Sequence, residues 1–140
     1  MIVFDTGVLY ALADRSDGHH AACVRWLAAA RGPFVVPSPV LAETCYLVGE
    51  YLGPESEAVF LDGVGASRAL QLAELVDEDV RRMAALVRQY ADLPLGGTDA
   101  AVVAVAERLG IDRIATVDRR DFSVVRPRHL DAFVLLPERL

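Results

Sequence analysis

The sequence contains no lysine; all 14 of its basic residues are arginine. A phosphoacceptor receiver domain, another parallel α/β fold with clustered aspartates, works with a lysine in its site and is disfavoured. Cysteine is nearly absent. Cys23 and Cys45 are the only two, both in apolar helix-like surroundings, and two cysteines make neither a disulfide framework nor a zinc site. They are expected as buried, reduced thiols. No apolar run approaches the roughly 18 residues of a membrane span. No basic leader precedes the first apolar segment, so no signal peptide is expected and the expected address is cytoplasmic. Repeats, low-complexity tracts and linkers are also missing, so the 140 residues, 54% of them hydrophobic, are expected to form one domain, 1–140, with a sizeable core. There is no basic surplus either. A net charge of −6 counts against a nucleic-acid partner, since such proteins usually carry excess positive charge. That exclusion has a gap, because a cluster of carboxylates lowers the net charge without changing the rest of the surface.

What the chain does have is four acidic residues at the edges of apolar segments, where a carboxylate does nothing for packing. Asp5 closes Met1-Ile2-Val3-Phe4, and Asp118 closes Ile114-Ala115-Thr116-Val117. Asp99 opens an Ala/Val-rich helical stretch, and Glu43 interrupts the apolar face of another.

The segments between them alternate. Short, wholly apolar runs at 2–4 and 34–36 read as strands. Weaker strands are expected at 70–75, 113–117 and 133–136. Helical patterns run from Thr6 to Asp14, His19 to Arg31, Ser38 to about Leu52, Glu55 to Gly63, Asp77 to Tyr90 and Thr98 to Leu109. Ser38-Pro39 reads as an N-cap followed by proline at the first helical position, and Gly53-Pro54 and Gly110 as stops. Alternating β and α segments with continuous apolar strands imply a parallel sheet covered by helices. The functional crevice of such a sheet lies beyond the carboxyl ends of its strands, where Asp5 and Asp118 are expected.

Each acid also has an ordinary explanation. Asp5 could be an N-cap, Asp118 turn chemistry, Asp99 a favourable partner for its helix dipole, and Glu43 half of a salt bridge to an arginine. Taken together they are hard to explain without a counter-charge. Two unit charges ~6 Å apart repel by roughly 3 kcal/mol at an effective dielectric near 20. Six such pairs approach the whole ~5–15 kcal/mol stability of a domain. A divalent cation removes the conflict, and an all-oxygen set suits Mg²⁺ or Mn²⁺. Asp92 is a fifth candidate, in a structural or supporting role. Thr6 and Thr116 could hold a carboxylate or phosphate by hydrogen bonds. Arg119, Arg120, Arg126 and Arg128 crowd after Asp118, and arginine matches phosphate geometry; a solvated surface explains them equally well. Asp-Thr-Gly at 5–7 resembles the aspartic-protease motif, but that chemistry needs two aspartates on a β-rich scaffold.

Four stretches together resemble the PIN-domain nucleases, and within them the VapC ribonuclease toxins of bacterial toxin–antitoxin pairs. They are Val3-Phe4-Asp5-Thr6, Val40-Leu41-Ala42-Glu43, Tyr90 to Ala100 with Asp99, and Arg113 to Phe122 with Asp118. Gly7 departs from the pattern, as does Asp121, which stands where many relatives carry histidine. The resemblance implies an α/β/α sandwich around a parallel sheet of four to five strands and Mg²⁺- or Mn²⁺-dependent endoribonuclease activity. It implies Asp5, Glu43, Asp99 and Asp118 as ligands and catalytic groups. It also implies an RNA substrate, a homodimer and a small cognate antitoxin, with no membrane association. The alternatives are a non-catalytic binding module on the same fold, or a PIN nuclease of RNA processing outside a toxin–antitoxin pair.

Overall fold

A computed structural model describes all 140 residues. The elements run β1 (Ile2–Phe4), α1 (Thr6–Ala13), α2 (His20–Ala29), β2 (Phe34–Pro37), α3 (Ser38–Leu52), α4 (Pro54–Ala66), β3 (Leu70–Ala73), α5 (Asp77–Gln89), α6 (Gly97–Leu109), β4 (Arg113–Ala115), α7 (Arg119–Val124) and β5 (Val134–Leu136). The strands form one sheet in the order β3-β2-β1-β4-β5, and every neighbouring pair is parallel. This is a parallel sheet flanked by helices, as the alternation predicts, with five strands where four to five were expected.

Two apolar features organise the packing. The two central strands are buried along their whole length: β1 as Ile2-Val3-Phe4 and β2 as Phe34-Val35-Val36-Pro37. Helix α6 is buried from Ala100 to Ala106 without interruption, as a helix that is apolar all round must be. It lies against β1, β2, α3 and α5. Trp26 packs with Phe4 and Phe34, at ring separations of 5.8 and 6.3 Å, and so belongs to the core side of α2.

Several sequence expectations need correction. Ser38 does not cap α3; it is the first helical residue, and its hydroxyl donates to the Ala73 carbonyl at 3.2 Å, tying the helix start to β3. Strand β4 ends at Ala115 rather than Val117, which moves Asp118 off the sheet and onto a helix, α7, that the sequence pattern did not reveal. Of the cysteines, Cys23 is buried but Cys45 only half-buried; both are free thiols.

Candidate active site

β1 is the middle strand, with β2 on one side and β4 on the other, so the chain leaves it toward both halves of the sheet. The crevice at such a switch point is the expected binding place of an open parallel sheet. Asp5 and Thr116 lie at this point, each one residue past the carboxyl end of its strand.

Asp5 is 5% exposed, and both of its carboxylate oxygens are held. Oδ1 accepts from the Thr6 backbone N–H at 2.7 Å, which makes Asp5 the N-cap of α1. Oδ2 accepts from the Thr116 hydroxyl at 2.8 Å. The capping explanation is therefore correct, and it coexists with a place in the crevice. Burial raises the Asp5 pKa above its ordinary value, against the lowering effect of these hydrogen bonds, and the negative charge of Glu43 pushes the same way as burial. Thr6 connects the two acids directly: its hydroxyl donates to Glu43 Oε2 at 2.7 Å. Thr116 performs the same service on the other side, since its oxygen accepts from the Asp118 backbone N–H at 3.0 Å. Two threonine hydroxyls thus link β1, α3 and the start of α7 through one aspartate.

Glu43 differs from expectation in one respect. The buried stripe of α3 is Val40, Thr44 and Val48, and Glu43 flanks it with an exposed side chain. It stands at the rim of the crevice rather than inside an apolar face. Asp99 opens α6, half-buried, with Oδ2 accepting from Gly96 N–H at 3.4 Å. Its carboxyl is pushed up to about 7, first by burial and then by the charges of Asp5, Asp121 and Glu43; the Gly96 hydrogen bond opposes this. Asp118 is exposed and caps α7 by accepting from Arg120 N–H at 3.2 Å.

Asp121, noted from the sequence only as a departure from the family pattern and given no role there, is half-buried and its charge bears on Asp99. Burial, and then Asp118, raise its own pKa. The available signal was Asp-x-x-Asp with Phe122 as a buried anchor, a first helical turn that aims position 121 back toward the sheet. Asp92 does not join this group. It is exposed in the turn between α5 and α6, and its side chain makes no hydrogen bond or ion pair.

The arginines also separate. Arg119 and Arg120 begin α7. The Arg126 guanidinium folds back on the Ser123 carbonyl at 2.9 Å, and its backbone N–H donates to the Tyr90 hydroxyl at 2.9 Å. Arg128 donates its backbone N–H to Glu107 Oε1 at 3.0 Å. It lines a polar cavity of about 380 Å³ with Arg82, Arg108 and His129. Glu107 lies eight residues beyond Asp99 on α6, roughly 12 Å along the helix axis, so Arg128 belongs to the opposite end of that helix from the acids.

Gly7 explains how the crevice closes. A Cβ at this position would stand 2.5 Å from Val117 Cγ2 and 3.7 Å from Asp5 Oδ2. Helix α1 packs so closely beside the β4–α7 connection that a methyl at residue 7 would force the Val117 side chain to shift.

The oxygen-only donor set suits a hard cation such as Mg²⁺ or Mn²⁺. Burial first, and then the neighbouring carboxylates, hold the Asp99 carboxyl up, and a cation would offset the second of these. The carboxylates are gathered loosely rather than closed into a coordination sphere: no three His, Cys, Asp or Glu side chains form a ready-made ion site. The fold concentrates charge at one end of the sheet and leaves the ligand geometry to side-chain rotation.

The fold, the crevice and the spacing of its acids define a PIN domain. The model of the PIN domain family matches residues 2–126, and the chain belongs to this family. Within it, the chain is 33% identical to Ribonuclease VapC26 of Mycobacterium tuberculosis, over 136 residues that cover 97% of this chain and 100% of the relative. Among solved structures, the fold is similar to Mycobacterium tuberculosis VapC20, a sarcin-ricin loop cleaving toxin, with a TM-score of 0.76, 18% identity and coverage of 81% of this chain and 87% of that one. It is similar also to VapBC2 from Rickettsia felis bound to a DNA fragment from their promoter, with a TM-score of 0.68, 17% identity and coverage of 96% and 97%. A toxin–antitoxin complex from Klebsiella pneumoniae matches with a TM-score of 0.66, 18% identity and coverage of 89% and 92%.

Proposed function

We propose that this chain is a divalent-metal-dependent endoribonuclease and the toxin half of a toxin–antitoxin pair, acting on RNA in the cytoplasm. The observation that carries the nuclease reading is the threonine-linked assembly of Asp5, Glu43 and the Asp118 backbone, with Asp99 half-buried beside it. Full-length similarity to a ribonuclease of the family supports it.

When bound, Mg²⁺ or Mn²⁺ would stabilise charge developing on the scissile phosphate and acidify water. Asp5, Asp99 and Asp118 would hold the ion, directly or through water. Thr6 and Thr116 fix the Asp5 carboxylate so that it cannot swing away. Glu43 keeps one oxygen on Thr6, and its other oxygen would ligate the ion or accept the attacking water's proton.

The antitoxin reading rests on the solved toxin–antitoxin complexes that share this fold and on an apolar cavity of about 830 Å³ between α1, α2 and α4. Helix α4 has no buried residue. Val59, which lines this cavity, is 60% exposed, so an apolar segment of the antitoxin would find a seat there. A homodimer is supported by a second exposed stripe, Val76, Val80 and Val87 along α5, at spacings that share one helix face.

The test is incubation of the purified protein with total cellular RNA and Mg²⁺ or Mn²⁺, followed by mapping of new ends. Cleavage should appear with metal, vanish with EDTA, and fall at least about 100-fold in Asp5→Asn and Asp99→Asn, with both variants still folded by circular dichroism. Full activity in either variant refutes the site.

A further inference from the structure

We infer that, of the four arginines crowded after Asp118, Arg120 is the one that grips the RNA backbone beside the scissile bond. This rests on the ribonuclease reading and assigns a substrate-binding residue within it. Arg120 is held at the crevice by its own backbone, which donates to Asp118 Oδ1 at 3.2 Å. Its side chain is exposed and takes part in none of the chain's ion pairs, which join Arg82 to Glu107, Arg108 to Asp79 and Arg113 to Asp112. Its positive charge bears on the adjacent Asp121.

The other three are placed differently. Arg119 is half-buried, with its Nη2 atom enclosed by protein and without a hydrogen-bond partner. The Arg126 guanidinium folds back on the Ser123 carbonyl of α7 through Nη1. Arg128 stands at the far end of α6 with Glu107 and His129.

The electrostatic need is plain. A polyanion must approach a crevice lined by Asp5, Glu43, Asp99, Asp118 and Asp121. One or two divalent ions offset only part of that charge, so the flanking phosphates require a cation outside the acidic cluster. A free guanidinium at the rim offers planar, two-pronged donation to phosphate oxygens.

The experiment measures binding of a fluorescein-labelled, mixed-sequence single-stranded RNA 20-mer to full-length protein carrying Asp99→Asn, across a salt series. Arg120→Gln should weaken binding about tenfold and reduce the slope of log affinity against log salt by about 0.7, the value of one single-strand phosphate contact. Arg120→Lys should restore the slope, since it keeps the charge. Arg128→Gln should leave affinity and slope unchanged. In otherwise unaltered protein, Arg120→Gln should raise KM about tenfold while kcat stays within about twofold, and its melting temperature should match the parent. An unchanged salt slope in Arg120→Gln, or an equal loss in Arg128→Gln, overturns the assignment and leaves the nuclease intact. Absence of both binding and cleavage in the parent protein would instead strike the ribonuclease reading itself.

Discussion

At residue 99 a single carboxylate ties stability to pH. Its pKa of about 7, against an ordinary 3.8, means that the folded, metal-free protein binds a proton there more tightly than the unfolded chain. A raised carboxylate stabilises the fold at low pH and loses that contribution as pH rises through the interval between those two values. In EDTA, thermal denaturation should therefore show a melting temperature that falls from about pH 4 to about pH 7 and levels off above that. Asp99→Asn should flatten this trend and melt higher than the parent at pH 8, and Mn²⁺ should raise the parent but not the variant. A parent whose metal-free stability rises over the same interval would contradict the charge crowding described for the crevice.

Gly7 offers a second test at this scale. Alanine normally favours a helix over glycine by about 1 kcal/mol, but here the added methyl meets Val117 Cγ2 at 2.5 Å, and overpacking of this kind costs about 1–3 kcal/mol. Gly7→Ala should be neutral to destabilising and should lower cleavage, because Val117 sits between Thr116 and Asp118. Adding Val117→Ala should restore both stability and activity if that contact is the cause. Equal activity in the single and double variants would break the argument.

Among the elements, α5 and α6 are joined by charge as well as by packing. Asp79, 2% exposed, accepts from Val76 N–H at 3.1 Å at the start of α5 and receives Arg108 Nε from α6 at 3.0 Å. Arg82 pairs in parallel with Glu107, through two hydrogen bonds of 2.7 and 2.9 Å. Asp79→Ala removes the acceptor of the Val76 N–H and of Arg108, which stays partly solvated and bonded to the Glu74 carbonyl, so the loss should be about 1–3 kcal/mol. Chemical denaturation should show a loss of that size. RNA cleavage well below the melting transition should persist, because this network lies away from the acids.

The same elements show what a sequence reveals. Long helices with periodic apolar faces and clear stops were legible to within a few residues, as were the two wholly apolar strands. Helix α7 was not, because six residues are too few to display a period, and its loss carried Asp121 with it. Asp5 and Asp99 were legible because each adjoins an unmistakable apolar segment. Glu43 was placed near the crevice correctly and its exposure wrongly: a helical projection gives direction but not the depth of the neighbouring layer. Thr6 and Thr116 could be suspected as supports from their neighbours, whereas the bonds that join them to particular carboxylates depend on strand register.

For the molecule as a whole, the acidic crevice and the apolar cavity divide the labour. Phe4 lines the cavity and Asp5 lines the crevice, so a single peptide bond separates the two environments. A segment seated between α1, α2 and α4 would lie close to the chemistry without needing to touch a carboxylate. Val59→Asp should leave RNA cleavage intact while abolishing neutralisation by a co-expressed antitoxin, measured as growth of the expressing cells. Growth restored as fully as with the parent would place the antitoxin elsewhere.

The hydrogen bond from Thr116 to Asp5 spans 111 positions. The Asp5 carboxylate is therefore steadied by a residue from a distant part of the chain, and any truncation that removes β4 and the residue after it leaves Asp5 Oδ2 without its donor.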